Sequence, residues 1–467
     1  MANTELHYKT IADLAILLEK QEVSPVEVTE TILNRIDDLD SRYKSYATVM
    51  ADHAMQAAKH AEEEIRKGNY KGPLHGVPVA VKDLCFTDGV RTMGGAKVME
   101  NHIPTFDSTV VSRLAAAGSV LLGKLNLTEG AMGGYNPSFD VPLNPWNTGR
   151  WAGASSSGSG VSTALGLCYG SLGSDTGGSI RFPAAACGTV GLKPTWGRVS
   201  RYGVLALAES LDHVGPLTRS SADAAIMLKA IAGPDANDPT TVATPVPDML
   251  SDIAAGVKGI RIGLDENYVT DGVDPELSSA VLDGVKVLEG LGATIVDINM
   301  PDVDRYMPFW RTLCTTEALA EHKPFYPSRR DEYGPYFREW LDIGSGVSGV
   351  DYAEANNQRH ECNGLIRLAM QKIDVIACPS TIEPAHPITM EQMYGPIDKN
   401  RDPSYQRFTV PYDYNGYPTI SVPCGLNGEG LPLSFQFVGH PLSEALLCRI
   451  GHAYESATTW FLMHPSI

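Results

Sequence analysis

Apolar residues recur at three- and four-residue spacing through the first 70 positions, and that period predicts helices. Thr10-Ile-Ala-Asp-Leu-Ala-Ile-Leu-Leu-Glu19 reads as one helix behind a threonine cap. Ser24-Pro25-Val26-Glu27 opens a second, with proline in the first turn and glutamate three residues after the serine. A third run, roughly 49–66, ends in basic residues before Gly68. From Gly72 the texture changes to glycine-rich α/β, which continues to about residue 235. Val77-Pro-Val-Ala-Val81 and Val120-Leu-Leu122 predict short buried strands. Gly233-Pro-Asp-Ala-Asn-Asp-Pro239 predicts a surface connection. Ile260–Leu264, a helix near 276–290 and Thr294–Ile298 predict a β-α-β unit. Asp374–Cys378 and Thr419–Val422 read as further strands. The stretch 303–345 is aromatic-rich and reads as irregular. It carries Tyr306, Trp310, Tyr336, Phe337 and Trp340 and fits a lid over a pocket or a satellite core equally well.

Composition narrows the class. The 467 residues are 43% hydrophobic and 20% charged, which is ordinary for a globular protein and rules out a disordered or collagen-like chain. With 37 basic against 55 acidic side chains the net charge is −18, so a phosphate-binding surface and direct nucleic-acid contact are not expected. The eight cysteines lie far apart with no CxxC, which fits buried free thiols rather than a zinc ribbon or redox pair. The N-terminus lacks the pattern of a secretory signal, and a cytoplasmic location is the expectation. Residues 151–174 carry no charge, but their seven serines and six glycines are wrong for a membrane span.

Several familiar patterns fail on inspection. Gly118-Ser-Val-Leu-Leu-Gly123-Lys124-Leu125 ends without the hydroxyl a P-loop needs for magnesium, and its middle is strand-like. Ser41-Arg-Tyr-Lys44 matches SxxK without the companion SDN and KTG motifs. No GxSxG and no HExxH occurs, and the histidines show no ligand spacing, so no metal and no cofactor is expected.

What remains is a concentration of serine and glycine between Arg150 and Gly203, with Lys82 at the end of an apolar strand upstream. A desolvated lysine loses its proton readily and can act as a neutral base. A serine between that amine and an attacking serine can relay the proton. The consecutive N–H groups of Thr176, Gly177, Gly178 and Ser179 can converge on an oxyanion, because glycine leaves the backbone unobstructed.

The run Gly173-Ser-Asp-Thr-Gly-Gly-Ser-Ile-Arg-Phe-Pro-Ala-Ala-Ala-Cys-Gly-Thr-Val-Gly-Leu-Lys-Pro-Thr-Trp-Gly-Arg-Val-Ser200 closely resembles the signature of the amidase signature family. The resemblance continues in order through Pro73–Leu84, Asp107–Asn126 and Val410–Gly425. It implies a single large α/β domain over 1–467, with a mixed central β-sheet flanked by helices. Within it, N-terminal helices would span about 8–70, the signature core about 72–235 and a variable, lid-like region about 300–345. It also implies Lys82 as base, Ser155 as bridging serine and Ser179 as the acylated nucleophile. The family's bridging serine follows a cis peptide, which here falls at Ala154–Ser155. Where the family has Gly-Gly-Ser-Ser-Gly-Gly-Ser this chain reads Gly153-Ala154-Ser155-Ser156-Ser157-Gly158-Ser159, which leaves Ser156 as the neighbouring alternative for the bridge. Asp175 and Arg181 read as a structural ion pair supporting the loop.

The segment with Met132, Gly133, Gly134 and Tyr135 resembles the family loop near the acyl pocket. The implied activity is hydrolysis of hydrophobic or aryl amides, extending to carbamates, with water as the second reactant. The rival implication is the glutamine-hydrolysing subunit of a tRNA-dependent amidotransferase. An inactive scaffold is disfavoured by the presence of all three catalytic residue types. A monomer and a homodimer fit the sequence equally.

Overall fold

Strand β2 (Pro78–Lys82) is apolar up to its last residue and wholly buried, so both of its faces must be covered. In the computed structural model, which describes residues 6–398 and 403–467, the helices Pro25–Tyr43 and Ser157–Ala164 pack on it and other strands pair along its edges. In chain order the other strands are β1 (Tyr46–Val49), β3 (Val120–Leu125), β4 (Gly170–Asp175), β5 (Val190–Lys193) and β6 (His213–Thr218). They are followed by β7 (Arg261–Leu264), β8 (Thr294–Asp297), β9 (Val375–Pro379), β10 (Thr419–Leu426) and β11 (Pro432–Gly439). All belong to one 11-stranded sheet in the order β1-β3-β2-β4-β6-β5-β10-β11-β9-β7-β8. The sheet is mixed: β2 runs parallel to β3 and β4, while β4, β6, β5, β10, β11 and β9 alternate antiparallel. The chain is therefore the single α/β domain expected, with helices flanking the sheet.

Small residues on β4 let helices approach both faces. Ser171 meets Thr163 of the helix Ser157–Ala164 at 2.9 Å, and a Cβ on Gly173 would lie 2.8 Å from Ser156 on that same side. On the other face a Cβ on Gly170 would lie 2.3 Å from Met227 of the helix Ser221–Ile231. The strand that leads to the signature loop is thus gripped between two helices.

The N-terminal helices form where the pattern places them: Ile11–Glu19 behind a Thr10 cap, Pro25–Tyr43 behind a Ser24 cap, and Ala51–Arg66. Between the last two the chain adds β1, antiparallel to β3, whose four residues are too few to show a period. The β-α-β unit is present as β7, the helix Pro275–Gly290 and β8, with the two strands parallel. Residues 303–345 are not irregular as expected. Most of them form the helices Met307–His322 and Pro335–Ser345, joined by turns, with Trp310 and Leu313 on one buried stripe behind the buried Tyr306, and with Phe337, Trp340 and Leu341 on the other. Bulky rings at helical spacing supply that packing, which the density of Pro, Arg and Tyr around them hides in the sequence.

The discarded motifs have structural uses. Lys124 is buried on β3, where it pairs with Asp83 at 3.4 Å and donates to the Cys85 carbonyl and the Thr92 hydroxyl, both at 2.6 Å. Ser41 to Lys44 closes the helix Pro25–Tyr43. The eight cysteines are all buried and unpaired. Among the described residues no helix is long and apolar enough to cross a membrane.

Candidate active site

Two strand ends and the entry to a helix meet at one end of β2 and β4. Lys82 is the last residue of β2, Ser174 and Asp175 end β4, and Ser155 lies just before the helix Ser157–Ala164. Because β2 and β4 are adjacent and parallel, their C-terminal residues lie side by side. Lys82 Nζ donates to Ser155 Oγ at 2.6 Å and to Ser174 Oγ at 2.9 Å. The amine is fully buried, and burial pushes its pKa down to about 7, against weaker opposing pulls from Cys85, Asp175 and Asp212. The peptide bond Ala154–Ser155 is cis, as the resemblance implied.

Of the two serines open for the bridging position, Ser155 reaches the lysine. Ser156 faces β4 instead: its hydroxyl donates to the Ser174 carbonyl and accepts the Ser174 N–H, both at 3.2 Å. The Ser156 N–H donates to the Ser179 carbonyl at 3.4 Å, which sets the two serine segments side by side. Ser179 is only half-buried and opens onto a cavity of about 660 Å³. Its hydroxyl has no hydrogen-bond partner among the described residues, so its proton-transfer contact with Ser155 is not preformed.

Arg181 is wholly buried and lies between two carboxylates. Its guanidinium donates to Asp175 at 2.8 and 3.0 Å, to Asp413 at 2.7 Å and to the Thr409 carbonyl at 3.0 Å. Burial works to raise the Asp175 carboxyl, but the charge and hydrogen bonds of Arg181 outweigh it and hold the group well below the usual range. At Asp413 burial wins, and the carboxyl is pushed well above its ordinary value. Next to this pair Lys193 Nζ donates to His213 Nε2 at 3.1 Å, and His213 Nδ1 donates to the Asp175 carbonyl at 3.2 Å. Burial, reinforced by Lys193, drives the His213 pKa well below its ordinary value, which keeps the ring neutral and fits that tautomer.

Asp175 also corrects one expected role. Its Oδ1 accepts the Gly178 N–H at 2.7 Å and its Oδ2 accepts the Ile180 N–H at 2.9 Å. The Gly178 donor is therefore already spent inside the loop, since Arg181 fixes the carboxylate that takes it. The N–H groups of Thr176, Gly177 and Ser179 have no acceptor among the described residues, and all three residues line the cavity.

The substrate-loop expectation divides in the same way. Met132 and Gly133 line the cavity, but Gly134 and Tyr135 do not. The Glu129 N–H donates to the Gly134 carbonyl at 2.8 Å, which turns the chain back, and the buried Tyr135 hydroxyl donates to Ser157 Oγ at 2.7 Å. The other walls include the apolar Trp151, Phe182, Leu207, Trp310, Tyr336 and Tyr405 and, opposite in character, Glu383, His386, Glu391, Asp398 and Gln406. The 303–345 region thus supplies both cavity wall and core. Sequence reasoning missed Ser174 and Lys193, although both lie inside the quoted signature, and it missed His213 and Asp413, whose partners are distant in the chain; Trp310 it named only as one ring of the aromatic stretch. Among the described residues no three His, Cys, Asp or Glu side chains converge as metal ligands.

The family model described as Amidase matches residues 27–448 of the chain. A Mycobacterium bovis protein carrying the name amidase AmiD is 42% identical over 461 residues, covering 98% of this chain and 96% of the relative. The glutamyl-tRNA(Gln) amidotransferase A subunit of Geobacter metallireducens is 38% identical, covering 99% of this chain and 100% of that one. The crystal structure of a bacterial aryl acylamidase of the amidase signature family superposes with a TM-score of 0.88 at 26% identity, covering 98% of each chain.

Proposed function

The chain belongs to the amidase signature family, and on that premise we propose that it hydrolyses hydrophobic or aryl amides, and aryl carbamates in addition, through an acyl-enzyme on Ser179. The observation that carries this reading is the 2.6 Å contact between the buried Lys82 Nζ and Ser155 Oγ beside a cavity onto which Ser179 opens. With its pKa pushed down to about 7, the amine has a neutral form available near neutral pH. In that form the contact reverses, and the Ser155 O–H donates to the lone pair of Nζ.

The proton of Ser179 passes to Ser155 as that of Ser155 passes to Lys82, and Ser179 Oγ bonds to the substrate carbonyl carbon. The carbonyl oxygen takes the negative charge and is met by the N–H groups of Thr176, Gly177 and Ser179. Each such donor is worth about 3 kcal/mol in comparable sites. Run in reverse, the relay gives the proton to the leaving nitrogen as the C–N bond breaks. Water then repeats the sequence on the ester and releases the acid. The aromatic part of the lining supports apolar groups on the substrate, beside the acidic Glu383, Glu391 and Asp398 of the same cavity.

The likeness to an amidotransferase component supports a second reading, glutamine hydrolysis in a complex with partner proteins. A hydrolysis panel of anilides, short aliphatic amides, glutamine and aryl carbamates separates the two. Turnover of anilides by the isolated chain, lost in Ser179→Ala and reduced by several orders of magnitude in Lys82→Ala, is the expected result. Glutaminase activity that needs a co-purifying partner would favour the second reading, and a Lys82→Ala variant with near-normal rates at neutral pH would remove the proposed base.

A further inference from the structure

The loop Thr176–Ser179 is held by its carbonyls. A trans peptide points its N–H opposite to its C=O, so an anchor on one side of the plane aims the donor on the other. The Asp175 carbonyl accepts from His213 Nδ1 at 3.2 Å, which sets the Thr176 N–H. The Gly177 carbonyl accepts from Thr409 Oγ1 at 2.7 Å, which sets the Gly178 N–H towards Asp175. The Gly178 carbonyl accepts from the Phe182 N–H at 2.7 Å, which sets the Ser179 N–H. The remaining plane, Thr176–Gly177, is anchored from the helix Met307–His322: the Thr176 carbonyl accepts from Trp310 Nε1 at 2.9 Å.

We infer that Trp310 is a positioning residue of this site, whose indole N–H holds the Thr176 carbonyl outward so that the Gly177 N–H faces the reacting carbonyl oxygen. The inference rests on the acyl-enzyme reading above. Three observations carry it. The Gly177 N–H has no acceptor among the described residues, and Gly177 lines the cavity. Glycine at this position leaves φ unrestrained, so the plane can rotate unless something outside the loop fixes it. The indole is packed against that glycine: a Cβ at Gly177 would lie 2.5 Å from Trp310 Cζ2. Trp310 is itself buried on the helix Met307–His322, with the Trp340 ring 5.8 Å away, so the anchor is rigid. The helix outside the signature therefore acts on the chemistry as well as on the shape of the cavity.

A fluorophosphonate tests this without knowledge of the natural substrate. Ser179 Oγ forms a bond to phosphorus as the P–F bond breaks, fluoride leaves, and the serine proton passes through Ser155 to Lys82. Phosphorus-bound oxygen takes the charge that the loop donors meet. Trp310→Phe, and replacement of Trp310 by 3-benzothienylalanine, remove the N–H while keeping a ring. The second keeps the indole shape and so guards against a folding defect. The expected result in both is a fall in the maximal labelling rate of about ten- to a hundredfold, less than the 10²–10³ of deleting an oxyanion donor. The half-saturating reagent concentration should stay within about threefold. Unchanged labelling rates, or weaker reagent binding with an unchanged maximal rate, overturn the inference and leave Trp310 as cavity wall alone. If the wild-type label, located by mass spectrometry, is not on Ser179, the acyl-enzyme reading itself fails, and the inference falls with it.

Discussion

Lys82 Nζ lies 2.9 Å from Ser174 Oγ as well as 2.6 Å from Ser155 Oγ, so the buried amine is held by two hydroxyls and, among the described residues, pairs with no carboxylate. A carboxylate in contact would keep the lysine charged through the neutral range. Hydroxyls fix its position and still allow it to lose a proton.

Activity should therefore follow the neutral amine. kcat/KM is expected to rise with pH through about 7 and then level off, with an acid limb governed by one proton. Stability follows the same group. Between about pH 7 and about pH 10 the unfolded chain carries a proton on this lysine that the folded chain does not, so folding gains as pH rises through that window. Chemical denaturation of the wild type and Lys82→Met across this range should show the wild type gaining on the variant with increasing pH.

Ser174→Ala should move the acid limb. A hydroxyl that accepts from the ammonium favours the charged form, so its loss shifts the limb to lower pH. It also frees one side of Nζ, and turnover at the plateau is expected to fall about tenfold by analogy with other misplaced general bases. A pH profile that superposes on the wild type after scaling would show that Ser174 does not act on the lysine.

Removing Arg181 strands the buried Asp175 carboxylate and leaves the Asp413 carboxyl without its donor. Arg181→Met is expected to cost about 3–5 kcal/mol in urea unfolding. Arg181→Lys should restore little of it, since a single ammonium cannot meet Asp175, Asp413 and the Thr409 carbonyl together.

The hydroxyl at Ser157, where the family has glycine, is tied to the substrate loop through Tyr135. Ser157→Ala leaves the Tyr135 hydroxyl buried without its acceptor, at a cost of about 1–3 kcal/mol. Tyr135→Phe combined with Ser157→Ala should recover much of that cost. A double-mutant cycle measures the coupling, and additive single effects would mean the contact contributes nothing.

Legibility followed distance along the chain. Lys82, Ser155 and Ser179 could be nominated as candidates because each ends or precedes an element with a local signal: an apolar strand, a serine-glycine run, a signature loop. Asp413 was not, because it meets Arg181 only across more than two hundred residues of chain, and Trp310 stood out only as one aromatic among several, its contact with the Thr176 carbonyl lying more than a hundred residues away. Gly178 shows the same limit within a single loop. As a residue type it fits an oxyanion donor, and only the placement of Asp175 by Arg181 gives its N–H to the carboxylate.

Taken alone, the order of residues determined the α/β class, most of the strands and helices, and the family resemblance with its three candidate catalytic positions. Those features depend on periodicity and on side-chain type, which a linear chain carries in full. Tertiary structure decided which serine meets the lysine, which backbone donors stay free, and that the 303–345 aromatics form helices bordering the cavity. Each of these depends on where β2, β4 and the helix Met307–His322 place their ends in space, and packing sets that geometry only once the whole sheet is assembled.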